Sequence, residues 1–289
     1  MSEANLSWTV GAVKITRIVE VEMPIPHDPK HPFLLDATPE ALQEIPWLYP
    51  HYVTPEGHLR LSVHALLVEA PGLRLVVDTC FGNDKPSAFM GGRALSTSFL
   101  QHMQDAGWPR DSVNAVICTH LHSDHVGWNT IRDGDRWVPT FPNARYLMGK
   151  AEFEFWSGVD DADTASVLSA SVQPVFDAGL VDLVDMDHVL SPEIRLIPTP
   201  GHTPGHVSVM IESQGQSAMI TGDAVHHPSQ IARPHWSPPF DTDQAASQAT
   251  RRSMYEAVAD KPILVIGTHF AAPTAGHVTR DGDSYRFDG

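Results

Sequence analysis

Positions 120 to 125 read His-Leu-His-Ser-Asp-His. Imidazole nitrogens and carboxylate oxygens are the donors that a zinc-type ion takes at about 2.0–2.2 Å. His120 and His122 lie two apart on an extended segment, which sends both side chains to one side. Asp124 and His125 follow where the chain must turn. Four donors within six residues cannot all reach one ion, so the run predicts two neighbouring ions. Two divalent ions about 3.5–4 Å apart can share a hydroxide whose parent water has its pKa lowered from 15.7 to about 7. Hydrolysis is the natural reaction of such a pair.

The elements that must hold these donors are short apolar runs alternating with amphipathic stretches. Leu59–Val68 and Leu73–Val77 read as strands around the turn Ala70-Pro-Gly72, and Val113–Cys118, Arg145–Met148, Ile194–Ile197, Val207–Ile211, Ala218–Ile220 and Ile263–Ile266 repeat the pattern. Helices are predicted over Ser96–Asp105, Thr164–Asp177 and Asp243–Asp260, the last introduced by the cap-like Asp241-Thr-Asp-Gln244. Strands interleaved with helices predict a layered α/β architecture. Pro24–Pro50 and Pro228–Pro239 read as surface loops. No shift of composition marks a boundary, which predicts one domain over residues 1–289, with 1–58 supplying lid or dimer loops. Several strands run straight into ligand-type residues: Val113–Cys118 into His120, Ile194–Ile197 into Thr199-Pro-Gly-His-Thr-Pro-Gly-His206, Ala218–Ile220 into Thr-Gly-Asp223, and Ile263–Ile266 into Gly-Thr-His269. Rigid strands delivering polar groups to one edge is how α/β proteins build sites.

Composition excludes other classes. The net charge of −16 repels phosphate backbones, and no Lys/Arg cluster offsets it, which argues against nucleic acid. Seventeen histidines are many, and histidine is the commonest metal ligand. The two cysteines, Cys80 and Cys118, are too few for a thiolate zinc site or a disulfide framework and read as buried inert thiols. No apolar run approaches the length that spans a bilayer. The N-terminus lacks a basic segment followed by an apolar one, so the expected location is cytoplasmic.

His120-x-His122-x-Asp124-His125, followed by His206 in His-Thr-Pro-Gly-His, Asp223 in Thr-Gly-Asp and His269 in Gly-Thr-His, resembles the metallo-β-lactamase superfamily in order and spacing from the strand ending at Asp78 to His269. The resemblance implies a four-layer αββα sandwich of two mixed sheets with helices outside and a dinuclear site at one sheet edge. It implies His120, His122 and His206 as ligands of a first metal, Asp124, His125 and His269 as ligands of a second, and Asp223 as the bridging carboxylate. Seven His/Asp ligands without a cysteine favour an open catalytic pair over a closed structural ion. Two divalent ions are thus the expected cofactors, zinc first, with Mn, Fe or Co accepted by the same donors.

Around this set, His202 reads as a supporting or structural residue. Asp78 reads as orienting the site through hydrogen bonds, and His64 as a core histidine. His226 stands at Asp223 + 3, where related lactonases often carry a substrate-contacting tyrosine, so it is expected either to line the pocket and take part in catalysis with Asp124 and Asp223, or to pack. The residues from His122 to Asn129, and those from Gly222 to Trp236, resemble the branch holding N-acyl homoserine lactonases and methyl parathion hydrolase-like enzymes. Flavin-linked diiron oxidases, nucleases, glyoxalase II-like thioesterases and exported β-lactamases of the superfamily fit the chain less well. Loop aromatics, with Trp128, Phe155, Trp156 and Trp236 taken as pocket residues, suit an uncharged, hydrophobic small molecule. The expectation is a lactonase or carboxylic esterase, and a homodimer, as related enzymes often are. A phosphotriesterase is the alternative reaction, and a non-catalytic metal-binding or ligand-sensing module the alternative class.

Overall fold

The computed structural model describes residues 5–289. They fall into two compact units, the first made of the N-terminal stretch to Glu20 with Val63–Met186, the second of Val21–Ser62 with Asp187–Gly289. The fold class is α/β, with mixed sheets and helices packed around them, as expected.

The sheet that serves the first unit has the order Ser7–Val10, Val13–Ile25, Leu59–Ala70, Leu73–Val77, Ala115–Cys118, Arg145–Gly149 and Val181–Val184. From Leu73–Val77 onward its neighbours run parallel. Parallel strands are covered on both faces and read as unbroken apolar runs; all four residues of Ala115–Cys118 are buried. Val77 pairs with Ile117, and Cys118 with Met148, so three neighbouring strands end level. The residues that follow them, Asp78, Thr119-His120 and Lys150–Glu152, therefore emerge side by side at the carboxyl edge.

The second unit holds a sheet ordered Ile194–Pro198, Val207–Ser213, Gln216–Ile220, Ile263–Ile266, Ala275–Asp281 and Ser284–Asp288. Only Gln216–Ile220 and Ile263–Ile266 pair in parallel, Ile220 opposite Ile266. The crossover between them carries the helix Gln244–Val258, whose first turn is capped by Asp243 Oδ1 accepting from the Ala246 N–H at 3.0 Å. Because these two strands end in step, Thr221-Gly-Asp223 and Gly267-Thr-His269 leave the sheet together.

Two predicted surface loops are corrected. Leu34, Leu42, Ile45 and Leu48 from the first proline-rich stretch, and Ile231 and Trp236 from the second, belong to the hydrophobic core of the second unit. Proline removes one backbone donor and fixes φ, but it does not exclude burial. Here it opens a short helix, Pro39–Gln43, capped by Thr38. The second stretch is pinned by the fully buried Arg251, whose guanidinium donates to Pro234 O (3.0 Å), Trp236 O (3.1 Å) and Ser237 Oγ (2.8 Å). The predicted helix over Thr164–Asp177 is present but not uniform: a π-helical turn, Leu168–Val172, interrupts it.

Candidate metal centre

In the first unit the strand end Cys118 leads into Thr119-His120, and the one-turn helix Ser123–Val126 then carries Asp124 and His125. Buried Asp78 organises the group. Its Oδ1 accepts from the Thr119 N–H (2.8 Å), and its Oδ2 from the Thr119 hydroxyl (2.8 Å) and from His125 Nδ1 (2.9 Å). With Nδ1–H given to a carboxylate, His125 turns a lone pair at Nε2 toward Asp124 Oδ2, 3.8 Å away. The Thr119 proton is spent on Asp78, so Thr119 Oγ1 accepts from His120 Nδ1 at 3.2 Å. That leaves the His120 Nε2 lone pair 2.9 Å from His122 Nδ1. Buried Glu152 braces this loop, accepting from the Leu121 N–H (3.1 Å) and from Trp156 Nε1 (2.6 Å).

The loop needs its glycine. A Cβ on Gly127 would sit 1.8 Å from the Phe81 carbonyl oxygen. Behind it Glu20, buried with its carboxyl pushed up in pKa by desolvation, accepts from Phe81 N (2.7 Å) and Trp128 Nε1 (2.6 Å). Cys80 and Cys118 are buried, and burial pushes the Cys118 thiol up to about 12, which keeps it inert.

In the second unit three imidazoles surround one carboxylate. Asp223 Oδ1 lies 3.1 Å from His269 Nε2, and its Oδ2 lies 3.2 Å from His226 Nε2 and 3.5 Å from His202 Nε2. His269 Nδ1 is held by the Ser62 carbonyl at 3.1 Å, and His202 Nδ1 by Asp241 Oδ1 at 2.9 Å. Both rings therefore carry the proton on Nδ1 and present an Nε2 lone pair to the Asp223 carboxylate. Imidazole nitrogens and carboxylate oxygens 3.1–3.5 Å apart, in residues at most 4% exposed, make a donor set that suits a divalent cation. His202, His226 and Asp241 also gather their ligand atoms within 4.8 Å of one another.

His206 is placed otherwise. Its Nε2 accepts the Asp223 backbone N–H at 2.8 Å, and its Nδ1 lies 2.8 Å from Thr199 Oγ1. An N–H can only donate, so the Nε2 lone pair is spent inside the protein, and His206 supports the Asp223 turn. His202 is the imidazole of that stretch that turns toward the carboxylate, a role the sequence reading gave to His206. Both histidines follow the same strand and both come directly after a Pro-Gly pair; only the partners of their nitrogens tell them apart.

The expected pocket aromatics divide as well. Trp128 is 4% exposed, stacked on Phe99 with ring centroids 5.6 Å apart, and Trp236 is 3% exposed in the core; each indole is buried as packing. Trp156 stands beside His122 at 5.1 Å between centroids and touches Phe155, and both are half-buried. The second unit adds two aromatics outside that set. Phe33 and Phe240 are 5.5 Å apart, and they lie 6.0 and 5.5 Å from the His226 ring. Phe240 is 42% exposed, an apolar surface beside a buried polar cluster. His64 is buried in its strand.

A family model described as the metallo-beta-lactamase superfamily matches residues 58–269, from before the first cluster to His269. An N-acyl homoserine lactonase of Bacillus sp is 24% identical over 228 residues, 74% of this chain and 84% of that protein. Among solved structures, the hydrolase AbOPH of the beta lactamase superfamily superposes with a TM-score of 0.80 at 24% identity, over 99% of this chain and 97% of that one. The dizinc quorum-quenching lactonase AidC, solved with a product, gives a TM-score of 0.79 at 19% identity over 98% and 96% of the two chains. No helix among the described residues is long and apolar enough to cross a membrane.

Proposed function

Because this chain belongs to the metallo-β-lactamase superfamily, whose model spans both clusters, we propose that it binds two divalent metal ions, zinc first, and that the enzyme is a hydrolase opening lactones or cleaving carboxylic esters. His120, His122, Asp124 and His125 of the first unit, and His202, Asp223 and His269 of the second, are the residues that would hold them. The observation that carries this reading is the tautomer pattern. Asp78, Asp241 and the Ser62 carbonyl each take an Nδ1 proton, from His125, His202 and His269, and leave Nε2 as a donor atom. Nitrogen and carboxylate donors without sulfur suit zinc, manganese, iron or cobalt. Bound there, the ions would supply a Lewis acid for the ester carbonyl and a water acidic enough to attack it near neutral pH.

The chain's own groups supply the rest. His226, with Nε2 3.2 Å from Asp223 Oδ2, is proposed to hydrogen-bond the substrate oxygen on which charge develops. Asp124, only partly buried beside His125, is proposed to return the proton to the departing alkoxide. Phe33 and Phe240 offer the apolar surface for an uncharged acyl or alkyl portion. The lactonase relatives and the lactonase-like fold favour a lactone.

The test is a hydrolysis panel on metal-reconstituted protein, comprising homoserine lactones of varied acyl length, aryl esters and a neutral phosphotriester, together with elemental analysis. Two ions per chain with turnover of lactones or esters is the expected result. Turnover of the phosphotriester alone would move the assignment to a phosphotriesterase. Two ions with no turnover of any of the three would make the chain a binding or sensing module.

A further inference from the structure

The first unit contains a cavity of about 210 Å³ whose lining includes Lys85, Arg132, Trp137, Ser87, Ser123 and Ser171. At about 30 Å³ per water, it holds a fragment of roughly seven waters' volume. Its position is set by the chain: Ser123 stands between His122 and Asp124, so an occupant bonded to that hydroxyl lies one residue from two proposed metal ligands. Ser123 Oγ is 3.4 Å from Ser87 Oγ across the cavity wall.

The lining is built for acceptor oxygens. Lys85 Nζ donates to the Gly127 carbonyl (2.7 Å) and the Thr130 carbonyl (2.9 Å), and an ammonium has a third N–H. Lys85 Nζ and Arg132 Cζ lie 4.0 and 4.6 Å from the centroid of the same Trp137 ring, which orients both cations. Asp84 is the one carboxylate in the lining, and it is exposed. In a chain with 19 basic against 35 acidic residues, two basic side chains on one indole is a local reversal of sign. Ser171 is 2% exposed and stands in the π-helical turn Leu168–Val172. Such turns are frequent at functional sites. Burial pushes the Lys85 amine down to about 7, so an anion beside it restores the charged form that the fold disfavours.

We propose that this cavity is a binding site for a small carboxylate group, seated by Arg132 and the third N–H of Lys85 and oriented by the hydroxyls of Ser87, Ser123 and Ser171. The site rests on the hydrolase reading only for which molecule brings the carboxylate. It is either the end of the substrate's acyl chain or a separate carboxylate ligand.

Adipate is the probe, titrated into the zinc-loaded protein while tryptophan fluorescence is followed, with the uncharged adipamide as control. Saturable binding of adipate but not adipamide is expected, weakened about tenfold or more by Arg132→Ala or Ser171→Ala, as the loss of a charge-assisted or buried hydrogen bond predicts. Trp137→Phe should abolish the signal while calorimetry still records the heat. Absence of saturation, or binding that both alanine variants leave unchanged, overturns the site. Kinetics names the source. A homoserine lactone with an ω-carboxyl acyl chain, preferred about tenfold over its methyl-ended isostere in wild type and not in Arg132→Ala, makes the carboxylate part of the substrate. Adipate binding without that preference makes it a separate ligand. If no lactone or ester is turned over, the lactonase or esterase reading falls, and the adipate titration still decides the cavity.

Discussion

His206 Nε2 accepts the backbone N–H of Asp223 at 2.8 Å, and Gly222 between the two strands' ends carries φ +54 with room for no Cβ, which would lie 2.5 Å from that same Nε2. The imidazole is a buttress under the turn that presents the Asp223 carboxylate. His202, four residues earlier, is the ring whose Nε2 looks at Asp223 Oδ2.

The two histidines should therefore separate in metal content. His202→Ala is expected to lose about one ion per chain and to cut kcat/KM by 100-fold or more, about 2.7 kcal/mol of transition-state stabilisation. His206→Ala should keep two ions after reconstitution and lose about 1–3 kcal/mol of stability, the cost of orphaning a buried N–H. Elemental analysis with a denaturant midpoint separates the two. The reverse pattern would return the ligand role to His206.

Asp78 acts through His125 and Thr119, so Asp78→Asn should leave the fold intact and weaken metal binding about 10–100-fold, measured by chelator competition. An affinity equal to wild type would mean that the His125 ring is fixed by packing alone.

Gly127→Ala would put a methyl 1.8 Å from the Phe81 carbonyl oxygen. Backbone on both sides leaves nothing flexible to yield, and a loss of at least ~3 kcal/mol is expected, seen as a collapse of soluble yield or of Tm. A stable, metal-loaded Gly127→Ala protein would contradict the close approach.

The aromatic residues should divide by burial. Trp236→Ala is expected to cost about 3–5 kcal/mol of stability through a core cavity, with no selective effect on substrates. Phe240→Ala, at an exposed ring, should leave Tm within about a degree or two and raise KM for long-acyl lactones more than for short ones. Thermal melts and a chain-length series decide both.

His227 gives a pH signature. Burial drives its pKa from 6.5 down to about 4, against the opposing pull of the Nε2 hydrogen bond to Tyr52 O at 2.9 Å, and the neutral ring's Nδ1 accepts the Ser229 N–H at 3.1 Å. The unfolded chain binds this proton below pH 6.5 and the folded chain only below about 4, so stability falls as pH drops through that window. The loss attributable to this residue is about 3 kcal/mol between pH 7 and 4. Urea unfolding of wild type and His227→Gln across that range should show a shallower acid-side slope in the variant, and parallel slopes would remove His227 as the cause.

Much of the fold was legible because its strands are uninterrupted apolar runs. The predicted strands from Leu59 to Ile266 are all present within a few residues of their expected ends. The hairpins Thr130–Asp133 with Arg136–Pro139, and Ala275–Asp281 with Ser284–Asp288, were not predicted. Their residues alternate charged and apolar types and resemble loop sequence until a partner strand satisfies their backbone. The N-terminal proline-rich stretch looked solvated for the same reason: Leu34, Leu42 and Leu48 are spaced too irregularly to announce a buried face.

The chain's own order of residues determined the donor inventory, imidazoles and carboxylates at strand ends without thiolates, and with it the hydrolytic chemistry of the superfamily. Spacing could not assign each nitrogen, because an imidazole becomes a ligand or a buttress according to what holds its other nitrogen. Asp241 reaches His202 across 39 positions, and the Ser62 carbonyl reaches His269 across 207. Only the folded chain brings those acceptors into place, and with them the tautomer, the direction of the lone pair and the burial that makes a cation welcome.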